Sequence, residues 1–224
     1  INGLFYNNQY DTSYDDNSFS SVIVNDYKGE IGNINAYFLN NPGTSIANSG
    51  KIDTIQSSFI GNALKDGPSH QGVVFSSSIS NSGTINTINS NFIGNNVGVS
   101  NSGGHIGTVT GNFVGQLYNG ITNQNGASID LIKANFIGTK GSAVYNPYSS
   151  SGTITIGSIE SNFVDNSANQ GAAIYNAREY NSGGDYYIRI NNISSNFINN
   201  TSTESGGAIY NGVKSIITQI SNSL

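Results

Sequence analysis

The acid–base chemistry open to this chain of 224 residues rests mainly on thirteen Asp and Glu, eight Lys and Arg, and two His. Cys is absent, which excludes thiolate nucleophiles, disulfides and Cys-ligated zinc. Carbohydrate cleavage would need two carboxylates in one place, about 5–9.5 Å apart. Asp53 and Asp130 have matching sequence surroundings, but the repeat described below sets them three laps apart. At about 4.8 Å per lap that is roughly 14 Å, too far for a catalytic pair. His70 and His105 fall in different registers of the repeat and have no matching His or Cys, so no metal site is expected from them. Asp15 and Asp16 lie in a polar stretch that reads as a solvated excursion in preference to a calcium loop. Lys133 and Glu160 share a register in successive laps, where a surface ion pair worth about 0–1 kcal/mol is expected. No catalytic residue, metal or cofactor follows from these groups.

Contact chemistry is better represented. Arg178, Glu179 and Asp185 share one segment with Tyr180, Tyr186 and Tyr187, a mixture of charge and aromatic surface suited to an excursion from a rigid scaffold. Tyr145, Tyr175 and Tyr210 recur between a β-branched residue and Asn, and strand alternation points them outward. They form either a contact stripe or a ladder that only stabilises its sheet. Thr54, Thr87 and Thr108 make a shorter column, interrupted by Asn33, Leu131, Ser158 and Asn192, which is too irregular for an ice-binding face.

Composition narrows the scaffold that must hold these groups. Asn, Ser and Gly number 36, 33 and 28, and only 9% of residues are charged. These types are poor helix formers. No run approaches the roughly 18 apolar residues of a membrane-spanning helix. A net charge of -5 makes nucleic acid a poor partner.

Order reveals a repeat. Phe5, Phe38, Phe59, Phe92, Phe113, Phe136, Phe163 and Phe197 occupy one frame, joined by Leu224, at spacings from 21 to 34 residues. An apolar residue follows each Phe. Then comes Gly, Asn or Asp, the types that tolerate a left-handed corner. Ile stands seven residues before each member from Phe38 onward, and Ile or Val stands four before. An offset of four keeps side chains on one strand face, whereas the offset of three between the two aliphatics requires a bend or bulge. A third signature, β-branched–any–Asn, runs from Ile23–Asn25 through Val144–Asn146 and Ile174–Asn176 to Ile209–Asn211.

One such cycle cannot bury its own apolar stripe, but stacked cycles can. The expected fold is therefore all-β: a right-handed parallel β-helix, or solenoid, of about eight coils and about 40 Å long, with handedness taken from the chirality of parallel connections. Phe38, Phe59, Phe92, Phe113, Phe136, Phe163 and Phe197 should form a ladder, as should the inward amides of Asn146, Asn176 and Asn211. Length variation gathers after the Phe corner (9–20, 63–70, 167–170 and 201–205) and after the Asn corner (147–152 and 177–187), where excursions are expected. The three Pro lie just after these corners, where no ladder bond is lost.

The run Gly206-Gly207-Ala208-Ile209-Tyr210-Asn211, with Phe-x-x-Asn corners at Phe5, Phe38, Phe59, Phe92, Phe163 and Phe197, resembles the GGAI and FxxN repeats of polymorphic outer-membrane proteins. The corner departs from FxxN at Gln116 and Thr139. Gly171–Ile174 and Gly141–Val144 are near matches to GGAI. The resemblance implies a bacterial autotransporter passenger: secreted, displayed at the cell surface, and adhesive toward a host or neighbouring-cell protein or glycan. Residues 1–224 would then be one β-helical segment of a longer passenger or filament, itself not inserted in a membrane. The alternative expectation is an extracellular fibre subunit that self-associates axially, coil end to coil end. A polysaccharide-active β-helix enzyme is the third reading.

Overall fold

The computed structural model describes residues 1–8, 21–63, 76–147, 152–177 and 186–221. Among them there is no helix, and every strand pairing is parallel. The first sheet begins with β1 (Asn2–Tyr6), and the second with β2 (Ser21–Asn25). The chain then alternates between them through β3 (Glu30–Leu39), β4 (Thr44–Asn48), β5 (Lys51–Ile55), β6 (Ser58–Ile60), β7 (Ser77–Asn81), β8 (Thr84–Ile93), β9 (Val97–Ser102), β10 (His105–Val114) and β11 (Ile121–Gln124). The later laps contain β12 (Ser128–Ile137), β13 (Val144–Asn146), β14 (Ile154–Ile159), β15 (Asn162–Val164), β16 (Ser167–Gln170) and β17 (Ile174–Asn176). The last are β18 (Ile188–Ile193), β19 (Asn196–Ile198), β20 (Thr201–Ser205), β21 (Ile209–Asn211) and β22 (Ser215–Ile220).

Spatial order follows the laps. The first sheet runs β1-β3-β5-β8-β10-β12-β14-β18-β22, with β6, β15 and β19 extending it sideways, and the second runs β2-β4-β7-β9-β11-β13-β17-β21. The molecule is a parallel β-helix, and the eight strands of the second sheet match the number of coils expected. The excursions after Phe163 and Phe197 are more regular than expected: β16 and β20 pair with each other as a third, two-stranded sheet. Two neighbouring laps with insertions of similar length can extend the ladder outward together.

Equivalent residues stack in register. Phe59, Phe92, Phe113 and Phe136 face one another in successive laps. The eight rings form one continuous pile, with neighbouring centroids 4.4 to 5.3 Å apart. Ring planes deviate by at most 20°. Phe38 through Phe163 are fully buried. Burial of each Phe contributes about 1.5–3 kcal/mol, and stacking adds about 0.5–1.5 kcal/mol. The residue before the second-sheet aliphatic is Gly, Ala or Ser from the second lap onward, and Val22 in the first. At Gly98 and Gly120 the space is taken by the pile: a Cβ on Gly98 would lie 2.6 Å from the Phe113 ring, and one on Gly120 2.8 Å from the Phe136 ring.

The bend between the two aliphatics is present. Ile52 pairs with Ile85, Thr54 with Thr87 and Ile55 with Ile88, while Asp53 is skipped. Both Ile side chains are thereby turned inward. The corner after each Phe also has the expected conformation, with φ between 50° and 66° at Asn7, Asn40, Gly61, Gly94, Gly115, Gly138, Asp165 and Asn199.

Two amide systems, buried except at their last members Asn211 and Asn200, close the polar side of the core. In the first, Asn25, Asn48, Asn81, Asn101, Asn123, Asn146, Asn176 and Asn211 form an unbroken chain, each Nδ2 donating to Oδ1 of the next lap at 2.7–3.2 Å. A primary amide suits this position because it both donates and accepts, and its second proton reaches turn carbonyls such as Gly104 O. In the second, the corner amides of Asn41, Asn62, Asn95, Asn166 and Asn200 donate to the Phe carbonyl of the previous lap. This system falters at the two sequence departures. Gln116 still donates to Phe92 O, but its Oε1 and the Thr139 Oγ1 are buried without a partner.

Two predictions follow from the ladders. Replacing Asn101 by Ala strands a donor on Asn81 and an acceptor on Asn123, and should lower unfolding free energy by about 2–4 kcal/mol in denaturant titration. Thr139→Asn supplies the missing donor toward Phe113 O and should raise stability by about 1 kcal/mol in the same measurement.

Candidate contact surface

Side chains with chemistry lie on the outside of the rod. Asp53 and Asp130 stand in laps separated by two others, through Ile52, Ile85, Ile106 and Ile129, so they do not converge. Each has its own partners. Asp53 Oδ1 accepts from Asn86 Nδ2 at 3.0 Å and lies 3.2 Å from Lys51 Nζ. Lys133 and Glu160 form the expected ion pair, at 3.6 Å, with side chains 64% and 43% exposed. At that exposure it contributes little to stability.

One juxtaposition was missed in the sequence. His105 Nδ1 lies 3.0 Å from Ser128 Oγ in the next lap, and His105 Nε2 lies 3.5 Å from Asp130 Oδ2. Serine, imidazole and carboxylate thus meet in the combination used for nucleophilic catalysis. The available signal was that His105 and Ser128 each precede the first Ile of their lap, which puts them side by side. The cluster is open to solvent: the Asp130 side chain is 68% exposed and that of His105 43%. Groups of three or more metal-ligating residues are absent among the described residues.

The Tyr column is real but unevenly open. Tyr145, Tyr175 and Tyr210 are in register, with ring centroids 4.9 and 5.3 Å apart and planes inclined by 38° and 29°. Val144 and Asn146 on either side of Tyr145 are buried, so the ring points away from the core, as alternation requires. Tyr175, in the middle, is only 7% exposed. Its contribution is packing between its neighbours, and the accessible rings are Tyr145 and Tyr210. Tyr186 and Tyr187, just before β18, are 43% and 48% exposed. Arg178, Glu179, Tyr180 and Asp185 lie outside the described residues, as do His70, Asp15, Asp16 and Leu224. The Thr54, Thr87 and Thr108 column is in register and half-buried, bounded by Asn33 and Leu131.

A second missed feature is a column of buried Ser two residues before Phe. Ser57, Ser90, Ser161 and Ser195 each donate Oγ–H to a carbonyl of the previous lap and accept an N–H from that lap. They splice the ladder where the strand bends, and their role is structural.

Comparison of the chain with protein-family models, with curated proteins and with solved structures returns no match. The surface chemistry therefore has to be read directly from this molecule.

If the Ser128–His105–Asp130 cluster is only a surface network, His105→Ala and Ser128→Ala should each change stability by less than about 0.5 kcal/mol. Both variants and the parent chain should hydrolyse a chromogenic ester at the same background rate; a drop specific to the variants would reinstate chemistry at this cluster.

Proposed function

We propose that this chain is a non-enzymatic segment of an adhesin-like, surface-displayed passenger, in which a rigid β-helix carries contact groups toward a host or neighbouring-cell protein or glycan. The resemblance to the GGAI and FxxN repeats of polymorphic outer-membrane proteins supports the secreted, cell-surface location. The observation that carries the reading is the division of labour across the wall of the rod. Inward positions repeat almost without variation, whereas outward positions vary and carry exposed aromatics, Tyr6, Tyr27 and Tyr37 in the first laps and the Tyr column with Tyr186 and Tyr187 in the last. A binding face placed on a stiff frame loses little entropy when it engages. Among the described residues the carboxylates are dispersed along the rod instead of gathered, and this favours contact over cleavage.

The test is binding of the purified, fluorescently labelled chain to intact host-type and bacterial cells, with and without prior removal of surface glycans or surface proteins. Saturable binding is expected, weakened at least about ten-fold when Tyr210 and Tyr187 are both replaced by Ala, since aromatic anchors dominate such interfaces. Circular dichroism should show the variant still folded. Absence of saturable binding would overturn the adhesive reading, and unchanged binding by the double variant would move the contact face elsewhere. Loss after one of the two treatments assigns the partner's class.

A further inference from the structure

The outward face of the first sheet presents three parallel rows beside the Phe pile: residues three before, one before and one after each Phe. The row after Phe is apolar or aromatic in every lap. Ile60, Ile93, Ile137 and Ile198 are between 36% and 50% exposed, and Leu39, Val114 and Val164 are half-buried. The row before Phe holds a third amide ladder, this one at the surface. Asn112, Asn135, Asn162 and Asn196 each donate Nδ2–H to the Asn of the preceding lap at 2.7–2.9 Å, beginning at Asn91. The row three before Phe is polar, and among the described residues its only charges are Lys133 and Glu160, adjacent and opposite.

The core is already filled from within, so folding does not require this apolar row. A continuous exposed apolar stripe marks an association surface, and parallel sheets ordinarily have both faces covered. We propose that the covering surface is a second copy of this chain, packed laterally and antiparallel, face to face on the first sheet. Two features select this occupant.

The first is charge. Consider a two-fold axis parallel to the strands, passing between the laps of Phe136 and Phe163. It lays each row on itself with the order of laps reversed. Lys133 then faces Glu160 of the second copy, and Glu160 faces Lys133. Asn135 meets Asn162 and Ile137 meets Val164 by the same operation, so amide lies on amide and aliphatic on aliphatic. A two-fold along the rod would instead lay the charged row over the apolar row and desolvate the Lys133–Glu160 pair against aliphatic side chains with no opposing charge from the second copy, which is costly. The face is self-complementary in one orientation.

The second is size, which sets the strength. Four laps, from Phe113 to Phe197, carry all three rows on both sides of the axis and give a footprint of about 19 Å by 17–20 Å, on the order of 350 Å² per copy and 700 Å² for the pair, the scale of a transient interface. Sheets packed in this way lie about 10 Å apart. An overlap of that size fits a weak, reversible dimer with a dissociation constant on the order of 100 μM.

Sedimentation velocity of the 224-residue chain over a concentration series is the test. A monomer–dimer equilibrium is expected with its midpoint on the order of 100 μM. Lys133→Glu and Glu160→Lys should each weaken it at least about ten-fold, and the two together should restore it, because both facing pairs are re-formed with signs exchanged. Geometry is tested separately by treating an equimolar mixture of the Ile137→Cys and Val164→Cys chains, which contain no other Cys, with a short bis-maleimide, because sheets about 10 Å apart lie beyond the reach of a direct disulfide. The mixture should give a crosslinked heterodimer in excess of either homodimer. A chain that stays monomeric to millimolar concentration overturns the proposal. So does a dimer insensitive to the charge reversals, a double reversal that fails to restore it, or a mixture that does not crosslink preferentially. The readout is self-association in the absence of cells, so its failure leaves the adhesive reading intact, and the reverse also holds.

Discussion

Each lap of this protein rests on the one before it at the spacing of hydrogen-bonded strands, about 4.8 Å. Every inward side chain therefore has a close equivalent of itself above and below. Few residues accept that arrangement. Phenyl rings stack, β-branched aliphatics pack, and a primary amide donates to its copy while accepting from the other side. A buried carboxylate or ammonium would meet a like charge at contact distance. The low charge content and the abundance of Asn follow from this constraint, as do the seven successive Phe–Phe stacks and the eight-residue amide chain.

The constraint also explains where the structure departs from regularity. Gln116 is one methylene longer than Asn, and Thr139 lacks an amide altogether; these laps retain the corner but leave a buried oxygen without a partner. Elsewhere the Ser column shows the backbone recruiting side-chain hydroxyls where a bend pulls its own donors out of line. The bend after the first Ile has a different solution, in which every lap skips the same residue and register is kept along the rod.

Outward positions are free of this demand, and the chain's variety is concentrated there. Charges can sit beside one another as opposite pairs, Tyr can stack with only its flanks exposed, and insertions can leave at a corner and return. Among the described residues the outward groups are arranged in rows and columns along a wall, and the proposed adhesive role would use such a broad face.

The columns themselves were legible in one dimension. The recurrence of Phe, the paired aliphatics and the β-branched–Asn motif determined the all-β solenoid, the inward ladders, the left-handed corners and the bend, because vertical stacking imposes the same residue types lap after lap. What the order of residues did not reveal was set by neighbours across laps. Ser128 and Asp130 gather around His105 only once two laps are aligned, and Tyr175, which is 7% exposed, stacks between Tyr145 and Tyr210 of the neighbouring laps. The pairing of β16 with β20, and the surface amide ladder along the first sheet, likewise arise from adjacency along the axis. Sequence period specifies which side of the wall a residue occupies; the contacts it makes there depend on residues 20 to 40 positions away, and only the folded stack brings those together.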